Sequence, residues 1–222
     1  MIYVTVPGDT VSSISRQSGV PVWKIIYDNQ LGEEGELTVG QALLLLKPQE
    51  SAEIREDLYV TGYAYPFIEP YVLEMAFPAL NELLVFSYGF TFEGELVPPI
   101  QDETWMIQLA WENGIEPMLV LTPFTQGVFN NQLIQTLVEE ESVRENVITN
   151  LLKVVEEKGY VGVDVDFEYV RAQNREGYAE FVGELRAAMN EKGYRVSVAL
   201  APKTSSDQKG LLYEGIDYAL LG

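Results

Sequence analysis

Histidine and cysteine are both absent from this chain of 222 residues. Their absence excludes a serine–histidine–aspartate triad, a cysteine nucleophile, a disulfide, and any metal site built on imidazole or thiolate. The groups that remain for acid–base chemistry near neutral pH are carboxylates, lysine and tyrosine. We therefore predict neither a metal ion nor a cofactor, and we look for function among the acidic residues.

Positive charge is also scarce, because 14 lysines and arginines face 34 aspartates and glutamates and the formal net charge is −20. Nucleic acids and anionic membrane surfaces are bound through lysine and arginine. We predict that neither is a partner. The apolar content of 47% is enough for a buried core in one medium domain and one small domain.

Long hydrophobic runs are missing as well. No stretch of 18 apolar residues occurs, so the sequence predicts no transmembrane helix. The first ten residues, MIYVTVPGDT, contain neither the basic region nor the apolar segment of a secretory signal peptide. We expect no signal peptide in this chain.

The stretch Gly159–Tyr169, GYVGVDVDFEY, carries the clearest pattern in the sequence. Apolar residues alternate with a second set that contains Asp164, Asp166 and Glu168, and a period of two with valine and phenylalanine predicts a strand. Residues two apart on one face of a strand are separated by about 6.5–7 Å. Like charges at this spacing raise the pKa of at least one carboxyl group, which can then act as a general acid.

The segment Val161–Glu168 resembles the active-site signature of glycoside hydrolase family 18, Asp-Gly-x-Asp-x-Asp-x-Glu. It departs from the signature at the first aspartate, where this chain has Val161. Strict alternation predicts that Val161 faces away from the three carboxylates, so the departure affects only the tuning of Asp164. The alternative is an acidic edge strand, but the helical runs on both sides and the apolar face favour an active site.

Residues 1–47 form a predicted β-α-α-β unit. Ile2–Val6 and Ala42–Leu46 are its strands, Gly19 ends the first helix and Pro21 opens the second. The unit resembles a LysM domain through YVTVPGDTVSSIS, the turn at Asn29, and LTVGQALLL. The resemblance implies that it binds glycans containing N-acetylglucosamine.

The LysM resemblance places a glycan groove between the loop after the first strand and the loop after the second helix. It implies five groove residues: Gly8, Asp9, Thr10, Asn29 and Leu31. For Asp9 and Thr10 the alternative is a purely structural role, because both are good helix-capping residues. Residues 48–57 are polar and begin with proline, so they are predicted to be a linker.

Strands and helices alternate in residues 58–222. The predicted strands are Leu58–Ala64, Leu83–Tyr88, Ile115–Leu121, the acidic strand and Tyr194–Leu200. The predicted helices are Pro70–Leu80, Asp102–Asn113, Phe129–Val138, Ser142–Lys158 with a capping box at its start, and Glu176–Lys192. This order predicts an α/β fold of the TIM-type (β/α) barrel kind, with active-site residues at the carboxyl ends of the strands.

Such a barrel needs eight strands, and the sequence predicts about five. We therefore expect that the C-terminal part of the barrel is missing and that the chain is a fragment or is completed by another chain. An incomplete barrel leaves open the possibility of a non-catalytic protein that binds peptidoglycan or chitin.

Further segments extend the resemblance to the family 18 enzymes of spore-forming bacteria that carry LysM domains. These segments are GYAYP, FSYGFTFEGEL, NREGYAEFV and ALAPKTSSDQKGLLYEGIDY. The resemblance implies an N-acetylglucosaminidase that acts on spore-cortex peptidoglycan or its fragments, located in the spore coat, the cortex or the cell wall. A chitinase would predict the same residues, so the glycan partner is peptidoglycan or a chitin-type glycan.

The family resemblance also implies a role for each carboxylate in a retaining, substrate-assisted mechanism. Glu168 protonates the glycosidic oxygen, Asp166 orients the acetamido group of the substrate, and Asp164 shares a proton or a hydrogen bond with Asp166. Four tyrosines at or just after predicted strand ends are candidates for stacking on sugar rings, with simple packing as the alternative. They are Tyr63, Tyr65, Tyr88 and Tyr169.

Overall fold

The computed structural model describes residues 1–32, 35–47 and 58–222. Within it the chain divides into two compact units, Met1–Leu58 and Tyr59–Gly222. The predicted linker, residues 48–57, lies outside the described residues, so its linker role stays a prediction.

The smaller unit is a two-stranded antiparallel sheet packed on two helices. Its elements are β1 (Ile2–Val4), α1 (Val11–Ser18), α2 (Val22–Asp28) and β2 (Ala42–Leu44). Seven buried side chains form its core: Val11, Ile14, Val20, Ile25, Leu31, Leu43 and Leu45. The predicted β-α-α-β order is therefore confirmed.

The larger unit begins with a strand and alternates strands with helices. Its first half contains β3 (Thr61–Ala64), α3 (Pro70–Ala76), a 3₁₀ turn (Phe77–Ala79), β4 (Glu82–Phe90), β5 (Leu96–Val97), α4 (Thr104–Glu112) and β6 (Glu116–Leu121). Its second half contains β7 (Phe124–Thr125), β8 (Val128–Phe129), α5 (Gln132–Glu139), α6 (Glu141–Lys158), β9 (Gly162–Val165), a 3₁₀ turn (Ala172–Asn174), α7 (Arg175–Glu191), β10 (Arg195–Val198) and α8 (Tyr218–Leu221).

Five of these strands form a parallel sheet in the order β10-β9-β6-β4-β3, and β5 adds antiparallel to β4. One face of the sheet packs against the helices, where Val85, Leu119, Val163 and Val165 are completely buried. The opposite face carries Asp164. The parallel sheet and the helices that cover one of its faces agree with the alternating strands and helices predicted from the sequence.

The parallel sheet is strongly curved. Tyr63 on β3 and Asp164 on β9 are separated by two intervening strands, yet the Tyr63 hydroxyl donates a hydrogen bond of 2.7 Å to Asp164 Oδ2. In a flat sheet three strand spacings would put β3 about 14 Å from β9. The curvature is that of a barrel wall, and it brings side chains from distant strands to one site.

Two helix predictions are wrong at their starts. The helix predicted from Phe129 begins at Gln132, because the preceding residues form the β7–β8 hairpin around Gln126 and Gly127, which both have positive φ. The capping box predicted at Ser142 does not form. Glu140 adopts an extended conformation just before the helix, so Ser142 lies inside the first turn of α6.

Gly162 illustrates how closely β9 and β10 approach each other. A Cβ atom at this position would lie 2.0 Å from the Arg195 carbonyl oxygen. By contrast, a Cβ atom at Gly183 on the exposed side of α7 would meet nothing within 4 Å.

We expect Gly162→Ala to lower the free energy of unfolding by about 2 kcal/mol or more, because the two strands must separate. Gly183→Ala should instead raise it by up to about 1 kcal/mol, since alanine favours the helix. Urea unfolding of both variants beside the wild type measures the difference. Equal stability of the two variants would contradict the close approach at Gly162.

Candidate active site

The three predicted carboxylates follow one another along β9 and the residues after it, and their exposure to solvent increases in that order. Asp164 is buried, with 3% of its surface exposed, Asp166 is half-buried, and Glu168 is exposed. The backbone N–H of Asp166 still donates to Leu121 at 2.9 Å, so the sheet pairing continues past the end of β9. Asp164 is therefore the deepest of the three and Glu168 the closest to solvent.

Asp164 is held by hydroxyl groups from two different strands. Tyr63 donates to Oδ2 at 2.7 Å, and Ser197 of β10 donates to Oδ1 at 2.5 Å. A buried carboxylate is tolerated only when its oxygens accept hydrogen bonds. The Tyr63 hydroxyl therefore supports Asp164, while Tyr63 is 50% exposed and its predicted contact with the substrate stays a prediction.

Ser197 is a site residue that the sequence analysis missed. In the sheet it lies directly beside Asp164, because the two residues are register partners of β10 and β9. The signal was present in the alternation of the segment RVSV, where the serine falls between two valines. Without the register, however, nothing in the sequence connects this serine to Asp164.

The half-buried carboxyl group of Asp166 has a raised pKa. Burial raises its pKa to about 6, and the negative charges of Asp164 and Glu168 add to the effect. This agrees with the expectation that closely spaced carboxylates raise at least one pKa. Asp166 can therefore hold a proton in mildly acidic solution.

A pocket of about 420 Å³ opens directly in front of Asp166 and Glu168. Tyr169 forms part of its wall and adopts a left-handed backbone conformation with φ of 57°. Asn130 and Asn131, which follow the hairpin, line the opposite side. Both asparagines were missed because the sequence placed this segment in the first turns of a helix.

The four predicted tyrosines do not share one environment. Tyr65 and Tyr169 are about half exposed, at 48% and 45%, and each lines a pocket at the carboxyl end of the sheet. Tyr88 is 2% exposed, and its hydroxyl donates to buried Glu103 at 2.5 Å. The prediction that Tyr88 contacts substrate is wrong, because its side chain points into the helix-facing core.

The predicted LysM groove residues are largely engaged within the smaller unit itself. Leu31 is 7% exposed and belongs to the core, so its placement in a groove is wrong. The Asn29 side chain donates to the carbonyls of Ile25 and Leu44 and accepts from the Leu44 N–H. These bonds tie the end of α2 to β2.

The loop after β1 shows the capping roles that were the alternative interpretation. Thr10 and Ser13 form a reciprocal capping box at the start of α1, and Asp9 accepts hydrogen bonds from the Tyr3 hydroxyl and the Val6 N–H. Gly8 is exposed, with a φ of 90° that favours glycine. Glycan binding by Gly8, Asp9, Thr10 and Asn29 remains a prediction.

Val161 does not face away from the carboxylate side as predicted. It packs against Leu84, Met118 and Val120, and Val120 is the register partner of Asp164. β9 begins only at Gly162, so the alternation does not extend back to Val161.

Among the described residues, no group of three or more acidic side chains is arranged to hold a metal ion. Within the same residues, no helix has the length and the apolar character that crossing a bilayer requires.

Comparison with known families connects this geometry to a class of enzymes. Residues 127–220 match the family described as "Glycosyl hydrolases family 18", and residues 3–45 match the LysM domain. The larger unit is therefore similar to glycoside hydrolase family 18 over its second half, and the smaller unit is similar to a LysM domain over nearly its whole described length. Both predicted resemblances, and the α/β fold of the family 18 kind, are therefore confirmed.

The similar proteins include spore enzymes. The cortical fragment-lytic enzyme of Bacillus subtilis is 32% identical over 66% of this chain, which covers 34% of that protein. The spore cortex-lytic enzymes SleL of Bacillus cereus and Bacillus megaterium match the whole chain, with TM-scores of 0.66 and 0.69 and identities of 29% and 26%. The chain spans 51% and 52% of those two structures.

Removing the Tyr63 hydroxyl should destabilise the larger unit. We expect Tyr63→Phe to lower the free energy of unfolding by about 1.5–3 kcal/mol, because a buried carboxylate oxygen loses its donor. Tyr65→Phe is the matched control: Tyr65 is about as exposed, and its hydroxyl makes no hydrogen bond within the described residues. Denaturant unfolding compares them, and equal effects would contradict the role of Tyr63.

The raised pKa of Asp166 predicts a pH-dependent stability. Because folding disfavours the charged carboxylate, stability is lost as the pH rises from the ordinary pKa of 3.8 through about 6. Asp166→Asn removes this ionisation. We compare the melting temperature of the variant with that of the wild type at each pH. The variant minus wild-type difference should be larger at about pH 8 than at about pH 4. A difference that does not change with pH would contradict the burial of Asp166.

Proposed function

We propose that the chain contributes the catalytic residues of a retaining glycosidase that cleaves glycans containing N-acetylglucosamine. The observation that carries the proposal is the carboxylate line itself: buried Asp164, half-buried Asp166 with a raised pKa, and exposed Glu168 at the mouth of one pocket. The match of residues 127–220 to glycoside hydrolase family 18 supports a glycosidase. The names of the similar Bacillus enzymes support spore-cortex peptidoglycan or its fragments as the substrate, and the spore as the location.

In the proposed reaction Glu168 acts first as an acid. It donates its proton to the glycosidic oxygen as the bond to the anomeric carbon breaks, and the oxygen of the substrate's 2-acetamido group attacks that carbon. The product of this step is an oxazolinium ion. Glu168, now a carboxylate, then takes a proton from water as the water opens the ring, which restores the original configuration.

In the proposal Asp166 interacts with the acetamido group of the substrate and not with the leaving group. It lies one step deeper than Glu168 on the same face of the strand, next to the pocket wall. In the mechanism it orients the acetamido N–H and stabilises the positive charge that develops on the intermediate. Asp164 adds negative charge behind Asp166, and the hydroxyls of Tyr63 and Ser197 keep its side chain fixed.

The LysM domain gives independent support for the same kind of substrate. Domains of this type are associated with glycans that contain N-acetylglucosamine, which is the sugar that the substrate-assisted mechanism requires. Two units of one chain would therefore bind the same polymer, and the domain would hold the glycan near the catalytic carboxylates by raising its effective concentration.

The decisive variant is Glu168→Gln, which keeps the shape of the side chain and removes its proton transfer. We expect turnover of purified cortex fragments to fall about a hundred- to ten-thousandfold, with glycan binding nearly unchanged. Mass spectrometry of the released saccharides measures the products. Glu112→Gln, on the exposed end of α4, serves as the control.

A near-normal rate for Glu168→Gln would remove Glu168 from the acid role. If the wild type released no products but still bound peptidoglycan, this chain would function as a binding module rather than as a glycosidase.

A further inference from the structure

The smaller unit has an apolar surface on the side of its sheet that faces away from the helices. An antiparallel sheet that covers a core on one face normally carries polar side chains on the other. Here the inward residues Leu43 and Leu45 are buried, as the core requires. The outward residues are nonetheless all aliphatic, and we call them the outer sheet face: Ile2, Val4, Val6, Ala42, Leu44 and Leu46.

The pairing of β1 with β2 makes the outer sheet face one contiguous patch. Ile2 lies opposite Leu44 and Val4 lies opposite Ala42, and side chains opposite each other in an antiparallel pair have Cβ atoms about 5 Å apart. Backbone hydrogen bonds extend the pairing beyond both ends of this register. The isoleucine, valine and leucine side chains of the face are between 37% and 63% exposed. An apolar patch of this kind, roughly 500 Å² in area, is often functional on a monomer.

The outer sheet face has the wrong chemistry for a glycan or an ion. Sugar sites combine aromatic rings with a few convergent polar groups, and none of the six side chains of the face has a ring, a nitrogen or an oxygen. A surface of this composition gains free energy only when another apolar surface displaces its water. The occupant must therefore be an apolar face of similar shape.

The charge of the chain is unevenly distributed along the sequence. Residues 1–47 contain three lysines and arginines and five aspartates and glutamates, a net charge of −2. Of the total of −20, residues 48–222 therefore carry −18. Two copies of the chain repel each other through this strongly acidic part. The nearly neutral smaller unit is the part through which two copies can approach at the least electrostatic cost.

We propose that the outer sheet face packs against the same face of a second copy of the chain and forms a symmetric dimer. A two-fold axis brings one patch onto its own copy, and stacked sheets lie about 10 Å apart with interdigitating side chains. The pair buries about 1,000 Å² in total, which is at the lower limit for a specific interface. The dimer is therefore reversible, with a dissociation constant on the order of 10–100 μM.

The dimer changes how the chain engages a polymer. If the smaller units bind glycan as predicted, two of them in one particle engage the same polymer at two points, which raises the apparent affinity through effective concentration. The pairing itself needs neither glycan binding nor catalysis. Its failure and the failure of the proposed glycosidase function are therefore separate results.

The test compares two variants of the full chain that add the same charge to the smaller unit. Val4→Lys places an ammonium group within the outer sheet face. Val22→Lys is the matched control, because Val22 lies on α2, is 38% exposed and does not belong to the face. Sedimentation velocity, over concentrations that span the expected dissociation constant, measures the association of each variant and of the wild type.

We expect the wild type and Val22→Lys to dimerise alike. Val4→Lys should raise the dissociation constant at least about tenfold, because the symmetric dimer would bury two ammonium groups. Raising the sodium chloride concentration should strengthen association of the wild type, since salt screens the repulsion between two chains of net charge −20.

A second variant, Val4→Thr, guards against a charged variant that fails to fold. Threonine keeps the branched shape and the strand preference of valine and places a hydroxyl group on the face. We expect a dissociation constant about three- to tenfold above that of the wild type. Circular dichroism checks the fold of each variant. Dilution of the wild type, followed by NMR, should shift the amide signals of β1 and β2 and leave those of the larger unit unchanged.

A wild type that stays monomeric throughout, or a Val4→Lys dimer as strong as that of Val22→Lys, would overturn the proposal. Dilution shifts confined to the larger unit would do the same, because they would place the contact elsewhere. An N-acetylglucosamine hexasaccharide should leave the dimer intact. Dissociation of the dimer by this oligomer would overturn the pairing and assign the outer sheet face to glycan.

Discussion

A carboxylate buried in a sheet destabilises the fold unless both of its oxygens accept hydrogen bonds, and Asp164 satisfies this condition with hydroxyls from two different strands. One donor, Ser197, comes from the adjacent strand β10. The other, Tyr63, comes from β3 at the far side of the strand order, and it can reach Asp164 only because the sheet is curved. Burial of the Asp164 carboxylate therefore depends on the curvature of the sheet, and the hydrogen bond from Tyr63 to Asp164 in turn supports that curvature.

The line from Asp164 to Glu168 shows how one strand creates three chemical environments. Each step of two residues moves the side chain toward solvent, and the middle carboxyl group carries the raised pKa because it is half-buried between two negative charges. At the other end of the same face, Arg195 bridges Glu82 at 2.9 Å and Glu116 at 2.6 Å. Arg195 thus neutralises two carboxylates at the amino ends of the strands. At the carboxyl ends, Asp164, Asp166 and Glu168 form no ion pair among the described residues.

The loop after β6 contains the β7–β8 hairpin, which forms part of the pocket beside the carboxylates. Because Gly89 has no side chain, the β7–β8 hairpin can rest on β4. The hairpin in turn places Phe129, Asn130 and Asn131 along the pocket that contains Asp166 and Glu168. In the proposed function the carboxylates carry out bond cleavage, and the hairpin shapes the pocket that receives the glycan.

Local pattern in the sequence determined the succession of strands and helices along the chain, the LysM-like unit and the three carboxylates, because alternation and helical spacing are properties of neighbouring residues. Tertiary structure alone decided which distant side chains complete the site. The hydroxyl of Tyr63 supports Asp164, which the sequence did not predict. Tyr88 was expected at the ligand and is buried against Glu103, and Ser197 was not noticed. Register and curvature set these contacts between residues up to 101 positions apart, and neither quantity can be read from a single strand.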